Sequence, residues 1–302
     1  MNQTSRQPAD SGHRDNMAGG AGSFPRIAVV TGTTHGIGRV SALELARAGY
    51  TVVMLSRNAA ANEAVAADIR ARVPGAVIEC HTCDLASLAS VRAAAQAVVS
   101  RHQRIDLLLN NAGIVSTRRR QSVDGFELCF ATNHLGPFAL TELVRERMVA
   151  GGRIVTVSSR VYPKGVLDLD AITDPAARYR SIAAYSRSKL ANVLHTLGLA
   201  RRLEGTGITV NCLHPGVVAT HLLPGWLNLI RPLFKREILD EARGARTSLY
   251  LALSPEVQGI TGRYYDEHQQ AQPLAPVAAD EALQERLWSA SARWTMLQQP
   301  GQ

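Results

Sequence analysis

The chain has 302 residues, of which 46% are hydrophobic, and a formal net charge of +8. This length fits one large α/β domain, which can bury a core without disulfides or metals. The basic residues are spread along the chain apart from one tight cluster at 118–120, and no basic stretch alternates with aromatic residues. Nucleic-acid binding needs such a stretch, so we expect no nucleic-acid partner.

The N-terminal segment differs in composition from the rest of the chain. The first 24 residues are polar and rich in Gly, Ser, Asn and Asp, without the apolar stretch of a signal peptide. They predict a disordered tail at 1–24, followed by one domain over 25–302. No run of about 18 apolar residues appears in the sequence, so we expect no integral membrane segment and a cytoplasmic protein.

Short apolar segments alternate with helical patterns from residue 26 onward. The predicted strands cover residues 26–30, 52–55, 77–78, 107–109, 154–157 and 209–213. The predicted helices cover about 38–48, an alanine-rich stretch ending at 72, 88–101, 133–149, 184–203 and 280–296. Continuous apolar strands between helices indicate a parallel sheet covered on both faces. We therefore predict a single doubly wound Rossmann-type α/β domain with a mainly parallel sheet of about seven strands.

A glycine-rich loop, Thr-Gly-Thr-Thr-His-Gly-Ile-Gly at 31–38, joins the first predicted strand to the first predicted helix. Glycines permit a tight turn and close backbone approach to a pyrophosphate, which the helix N-terminus can bind. The strand–loop–helix context favours a dinucleotide site over a purely structural turn. The candidate cofactor-binding residues of this loop are Gly32, Thr34, His35, Gly36, Ile37 and Gly38.

The end of the second predicted strand discriminates between the two nicotinamide cofactors. An acid there binds the ribose 2′-OH of NAD, whereas Arg suits the 2′-phosphate of NADP. Here the sequence is Leu-Ser-Arg-Asn at 55–58, with Arg57 and no acid. This favours NADP(H) over NAD(H), the alternative being that Arg57 is a plain surface cation.

A Tyr-x-x-x-Lys pattern, Tyr185 and Lys189, lies early in the helix after the fifth predicted strand. Residues four apart share one helix face, although this spacing alone also fits a surface pair. A free tyrosine titrates near 10 and needs a pKa lower by about 2–3 units to act near neutrality. A cation about 4 Å away supplies on the order of 4 kcal/mol, so we expect Lys189 to lower the pKa of Tyr185.

Cys80 and Cys83 have C-x-x-C spacing. The alternatives are a redox or zinc pair and two ordinary residues at a strand end. No second cysteine pair with matching spacing follows, so we predict no metal site.

Taken in order, these motifs resemble those of the short-chain dehydrogenase/reductase family over about residues 26–267. The glycine loop, Asn-Asn-Ala-Gly at 110–113 and Tyr-x-x-x-Lys carry the resemblance. The chain is similar to the retinol dehydrogenase-like branch in four features: Asn-His-Leu-Gly at 133–136, the insert at 160–182, Ser-Lys-Leu-Ala-Asn at 188–192 and His-Pro-Gly at 214–216.

The resemblance implies a set of catalytic roles. Tyr185 would transfer the proton to or from the substrate oxygen, and Ser159 would hydrogen-bond that oxygen, with Ser158 as the fallback. Lys189 would also hold the nicotinamide ribose, and Asn133 would hold a relay water.

The resemblance also implies further cofactor contacts. Asp84 would cap the adenine, with a helix N-cap as the alternative reading, and the segment at 110–113 would lie beside the cofactor or form a β-turn. The cofactor-binding residues that it adds are Asp84, Leu85, Asn111, Ala112, Gly113, Tyr185, Lys189, Pro215, Gly216 and Val218.

The apolar segment near 218–240 matches the family's substrate-lid position and suits a small apolar alcohol, aldehyde or ketone. A packed helix and a membrane-touching patch are the alternatives. Family members often dimerise, which makes a homodimer one expectation. A non-catalytic NADP(H)-binding sensor or scaffold, and a reductase of a tetrapyrrole double bond, are the other functions that the sequence leaves open.

Overall fold

The computed structural model describes residues 25–218 and 238–296. The predicted tail at 1–24 and most of the predicted lid, 219–237, lie outside the described residues. No helix in the described part of the chain is both long and apolar enough to cross a membrane.

The strands are β1 Arg26–Thr31, β2 Tyr50–Ser56, β3 Ile78–Thr82, β4 Ile105–Asn110, β5 Met148–Val157, β6 Thr209–Leu213, β7 Val217–Val218, β8 Ile238–Leu239, β9 Tyr264–Tyr265 and β10 Ala271–Gln272. Eight of them form one sheet in the order β10-β9-β6-β5-β4-β1-β2-β3. All neighbours in it are parallel except β10, which is antiparallel to β9. β7 and β8 form a separate parallel pair. The predicted doubly wound, mainly parallel sheet is confirmed.

The helices are α1 Gly36–Arg47, α2 Ala59–Arg72, α3 Leu88–Arg101, α4 Leu128–Phe130, α5 Gly136–Val144, α6 Asp170–Thr173, α7 Ser181–Arg202, α8 Glu241–Leu253, α9 Pro276–Ala279 and α10 Glu281–Trp294. A π-helical turn, Ala131–Leu135, joins α4 to α5.

The helices cover both faces of the sheet because neighbouring strand residues point to opposite sides. In β4, Leu108 packs with side chains of α3 and α5, whereas Leu109 packs with side chains of α1 and α2. β2 is buried along its whole length, as expected for a central strand covered by helices on both faces.

Side-chain caps fix the starts of five helices, including α4, where the Glu127 carboxylate accepts from the N–H groups of Cys129 and Phe130. Asn58 Oδ1 accepts a hydrogen bond from the Ala61 N–H at 3.0 Å and begins α2. The corresponding caps are Ser87 on α3, Asp240 on α8 and Asp280 on α10. Each such cap satisfies a helix N–H that has no partner within the helix.

The predicted helix at 133–149 is wrong at both ends. The helical segment begins at Leu128, widens into the π turn and ends at Val144, and β5 begins at Met148 after a 3₁₀ turn. The first residues of β5 are apolar and continue the helical pattern in the sequence. The pairing of β5 with β4 also shifts register in this region, where Gly151 has a φ of +84°.

Helix α1 crosses very close to the loop that precedes it. A Cβ on Gly38 would lie 2.1 Å from the Gly32 carbonyl oxygen and 2.5 Å from Asn111 Nδ2. Gly198 in α7 is a suitable control, because a Cβ there would lie 3.5 Å from the nearest atom, Arg202 Nη1.

We predict that Gly38→Ala lowers the free energy of unfolding by roughly 1–3 kcal/mol, since backbone must move to admit the methyl group. Gly198→Ala should raise it by about 0.5–1 kcal/mol, because alanine is the better helix former. Urea unfolding followed by circular dichroism measures both values. A Gly38→Ala variant as stable as Gly198→Ala would contradict the close approach.

Candidate active site

A cavity of about 600 Å³ opens at the carboxyl ends of the parallel strands. The strand order reverses there between β1 and β4, which is where open α/β sheets bind ligands. The predicted site residues that line it are Gly32, Thr34, His35, Gly36, Ile37, Arg57, Asp84, Leu85, Asn111, Ala112, Gly113, Ser159, Tyr185, Lys189, Pro215 and Gly216. The fold therefore brings together residues from six separate loops and α7.

Gly38 and Asn133 are not part of this lining, and only the backbone of Val218 is described. Gly38 packs α1 against the backbone of Gly32, so its role is close packing and not contact with the cavity. Asn133 is fully buried behind the wall. Val218 ends β7, whose backbone pairs with β8.

The glycine loop is fixed to the end of β4 by hydrogen bonds. Asn111 Nδ2 donates to the carbonyls of Thr31 at 2.9 Å and Gly32 at 3.3 Å. Thr31 Oγ1 accepts from the backbone N–H groups of Asn111 and Ala112, both at 3.0 Å. Gly32 has a φ of +73°, a conformation that favours glycine. The segment at 110–113 therefore clamps the loop and does not form a β-turn.

The N-terminus of α1 forms one wall of the cavity. Its N-cap residue, His35, makes no side-chain capping hydrogen bond, in contrast to the five capped helices. The first N–H groups of a helix need a partner and carry partial positive charge, so they bind anions. With Gly32 and Gly36 leaving the backbone exposed, this end of α1 suits a pyrophosphate.

Arg57 and Asp84 are the charged groups next to the glycine loop. Arg57 is exposed, and its guanidinium makes no ion pair with any residue that the structure describes. Asp84 Oδ1 accepts from the Ala86 N–H at 3.0 Å. Ser87 and not Asp84 caps α3, so the helix-cap reading of Asp84 is wrong.

Tyr185, Ser159 and Lys189 meet on the wall opposite the glycine loop. Lys189 Nζ donates to the Val157 carbonyl at 2.8 Å and lies 5.7 Å from the centre of the Tyr185 ring. Ser159 hydrogen-bonds Tyr185. Ser158 instead donates to the Lys189 backbone carbonyl at 2.8 Å, so it holds α7 against β5.

The expected effect of Lys189 on Tyr185 is not what the structure shows. Burial raises the pKa of Tyr185 to about 12, and only the hydrogen bond from Ser159 acts in the other direction. Burial also lowers the pKa of Lys189 to about 8. The Lys189 ammonium is directed at the Val157 carbonyl, so desolvation dominates both groups. Tyr185 is therefore a neutral phenol at neutral pH.

Asn133 holds the loop that follows β4. Its Oδ1 accepts from the Ile114 N–H at 2.7 Å, and its Nδ2 donates to the Ile114 carbonyl at 2.9 Å and to Ser188 Oγ at 3.0 Å. A Cβ on Gly113 would lie 3.3 Å from Lys189 Nζ and 3.4 Å from Asn133 Oδ1. The π turn thus brings Asn133 close to Lys189, and its relay water stays a prediction.

Several lining residues were missed in the sequence. They are Leu55, Ser56, Asn58, Cys83, Ile114, Val115, Thr132, Val157, Arg160, Val161, Ser181 and Ile182. Helical spacing could have identified two of them, because Ser181 and Ile182 precede Tyr185 by four and three residues.

Cys80 lies within β3 and Cys83 just after it, and burial raises their pKa values to about 11 and about 12.

The buried Lys189 makes stability depend on pH. Its pKa is about 8 in the folded protein and about 10.4 in an unfolded chain, so the unfolded chain binds more protons between these values. The cost of the buried charge, roughly 3 kcal/mol, is fully present below pH 8 and disappears as pH rises towards 10. We expect Lys189→Met to raise the free energy of unfolding at pH 7 by about 1–3 kcal/mol, a gain that vanishes by pH 10.

Denaturant unfolding of the cofactor-free protein between pH 6 and 10 tests this expectation. Lys164→Met is the control, because Lys164 is exposed and its substitution should change little at any pH. A difference between wild type and Lys189→Met that stays constant with pH would argue against a buried charge.

Comparisons with known proteins agree with this geometry. The sequence model described as short chain dehydrogenase matches residues 26–226. Human retinol dehydrogenase 13 is 38% identical over 95% of this chain and 91% of its own length. Bovine dehydrogenase/reductase SDR family member 13 is 42% identical over 89% of this chain and 72% of its own.

Two solved structures share the fold. An uncharacterised protein from Mycobacterium paratuberculosis is 35% identical, with a TM-score of 0.73 over 90% of this chain and 93% of that one. A short chain dehydrogenase from Burkholderia cenocepacia, solved in complex with NADP, is 26% identical, with a TM-score of 0.65 over 80% and 95% of the two chains. As the order of its motifs predicts, the chain belongs to the short-chain dehydrogenase/reductase family of oxidoreductases.

Proposed function

We propose that this chain catalyses the NADP(H)-dependent interconversion of an apolar alcohol and its aldehyde or ketone, with Tyr185 as the acid/base. The observation that carries the proposal is the convergence of Tyr185, Ser159 and Lys189 on the cavity that the glycine loop and Arg57 also line. The nicotinamide cofactor, when bound, supplies or accepts the hydride.

Tyr185 is in the protonation state that a proton donor requires. With a pKa of about 12 the phenol is protonated at neutral pH, which agrees with proton donation to a carbonyl oxygen in the reductive direction. Ser159 hydrogen-bonds the phenol, and its single hydroxyl proton can be turned to the substrate oxygen instead. Lys189 lies beside this pair, with its Nζ 5.7 Å from the centre of the Tyr185 ring.

The preference for NADP(H) rests on charge at the end of β2. Arg57 lines the cavity without a carboxylate partner in the described chain, so its guanidinium is available to a 2′-phosphate. Asp84, the acidic residue of the described lining, follows β3 and accepts from its own loop. The complex of the Burkholderia cenocepacia relative with NADP supports the same choice.

The apolar substrate class rests on the side chains beside Tyr185. Val115, Val161 and Ile182 line this end of the cavity, and the Ile182 side chain is 64% exposed. Exposed large apolar side chains at a pocket mark a binding surface for apolar groups. The relatives named retinol dehydrogenase are named for an apolar alcohol, which agrees with this class.

We predict that Tyr185→Phe lowers turnover by at least about 100-fold, because the site loses its proton donor, while NADPH binding is retained. Loss of nicotinamide absorbance with a panel of apolar aldehydes and ketones, retinal included, measures turnover, and fluorescence titration measures binding. Tyr250→Phe is the control, since that hydroxyl bonds Glu256 outside the cavity. Turnover of Tyr185→Phe at the wild-type rate would refute the acid/base role.

We predict that Arg57→Ala weakens NADPH binding by about 10–100-fold and leaves NADH binding nearly unchanged, because only NADPH carries the 2′-phosphate. Arg120→Ala, an exposed arginine outside the cavity, controls for the change in net charge. Equal losses for both cofactors would exclude a phosphate contact at Arg57.

A further inference from the structure

A second cavity, of about 140 Å³, lies beside the N-terminal turn of α7. Its volume is well above the roughly 10–15 Å³ that one water requires. We call it the arginine pocket, and its lining residues are Arg119, Arg178, Tyr179, Arg180, Ala183, Ala184 and Arg187. Four of these seven residues carry a guanidinium group.

Two of the four arginines have no partner in the described chain. Arg178 and Arg180 are exposed, and neither forms an ion pair with any described residue. A surface arginine without a partner is usually solvated, but here both project from the wall of a single cavity. Their side chains are available to a ligand without breaking an existing contact.

The other two arginines are anchored mainly by backbone carbonyls. Arg119 donates from its two Nη atoms to the carbonyls of Ala171 and Asp174, and its buried Nε has no hydrogen-bond partner. Arg187 Nε donates to the Val166 carbonyl at 3.1 Å. These contacts fix the guanidinium groups in place but leave most of their charge uncompensated.

Two carboxylates of the described chain, those of Asp168 and Glu127, interact with these arginines. Asp168 Oδ2 lies 3.9 Å from Arg187 Nη2. Glu127 is fully buried, and its two oxygens accept from the N–H groups of Cys129 and Phe130. Four guanidinium groups against two carboxylates leave an excess of positive charge, whose self-repulsion a bound anion would relieve.

The N-terminus of α7 adds to the positive charge around the arginine pocket. Arg180 is its N-cap residue and makes no side-chain capping hydrogen bond, and Ala183 and Ala184 of the first turn line the pocket. The N-terminus of a 22-residue helix carries partial positive charge. This contribution is secondary to that of the four side chains.

We propose that the arginine pocket binds a tetrahedral oxyanion, either free phosphate or the phosphate group of a larger molecule. The planar fork of a guanidinium matches two phosphate oxygens at once, and Arg178 and Arg180 bring two such forks without partners in the described chain to one small volume. The proposal does not rest on which cofactor or substrate the larger cavity takes. Ala184 in the pocket wall directly precedes Tyr185, so the ligand lies next to the turn that holds the acid/base.

Isothermal titration of the full chain with inorganic phosphate at constant ionic strength tests the proposal. The double variant Arg178→Ala/Arg180→Ala should bind phosphate about tenfold or more weakly, because it loses two charge-assisted contacts. Arg118→Ala/Arg120→Ala is the matched control, since both arginines are exposed and lie outside the pocket. Their substitution removes the same amount of positive charge. The control should bind phosphate as wild type does.

Three results would overturn the proposal. The first is wild-type affinity in Arg178→Ala/Arg180→Ala. The second is equal weakening in both double variants, which would indicate net charge alone. The third is loss of binding in Arg57→Ala, which would place the phosphate in the larger cavity.

A parallel titration with glycerol 3-phosphate identifies the source of the oxyanion. Tighter binding than inorganic phosphate supports the phosphate end of a larger molecule. Equal or weaker binding supports the free anion. In both cases the loss in Arg178→Ala/Arg180→Ala should be the same.

Discussion

The junction between Thr31 and Asn111 is the contact on which the site depends. Thr31 Oγ1 accepts from two backbone N–H groups after β4, and Asn111 Nδ2 returns two hydrogen bonds to the glycine loop. Without these bonds, backbone groups at the switch point would be desolvated and unpaired, at a cost of about 1–3 kcal/mol each. The junction keeps the ends of β1 and β4 together and so sets where α1 begins.

Hydrogen bonds from side chains to backbone groups also hold the other side of the cavity. Asn133 pairs with both backbone groups of Ile114, and Ser158 and Lys189 each bond a backbone carbonyl across β5 and α7. Polar side chains bonded to backbone are held more rigidly than side-chain pairs at a surface. The site is therefore organised before any ligand enters, as positioning for catalysis requires.

The sequence was sufficient to predict the ends of the parallel strands and hence most of the cavity. The predicted bounds of α3 and β6 match the structure, since Ser87 caps α3 and every residue of β6 is buried. The protonation of Tyr185 could not be predicted, because it depends on desolvation, which needs the packed neighbours. The π turn before α5 and the contact role of Gly38 depend on tertiary approach in the same way. A homodimer and a cytoplasmic location stay predictions.

Arg57 and Asn58, which are adjacent at the end of β2, have different roles. Asn58 starts α2 through its cap, whereas the neighbouring Arg57 is exposed, lines the cavity and forms no ion pair with any described residue. Substitution at position 57 therefore leaves the folding free energy nearly untouched, while substitution at 58 does not. On the role proposed for Arg57, a change of cofactor preference could therefore arise in a single substitution that is nearly neutral for folding.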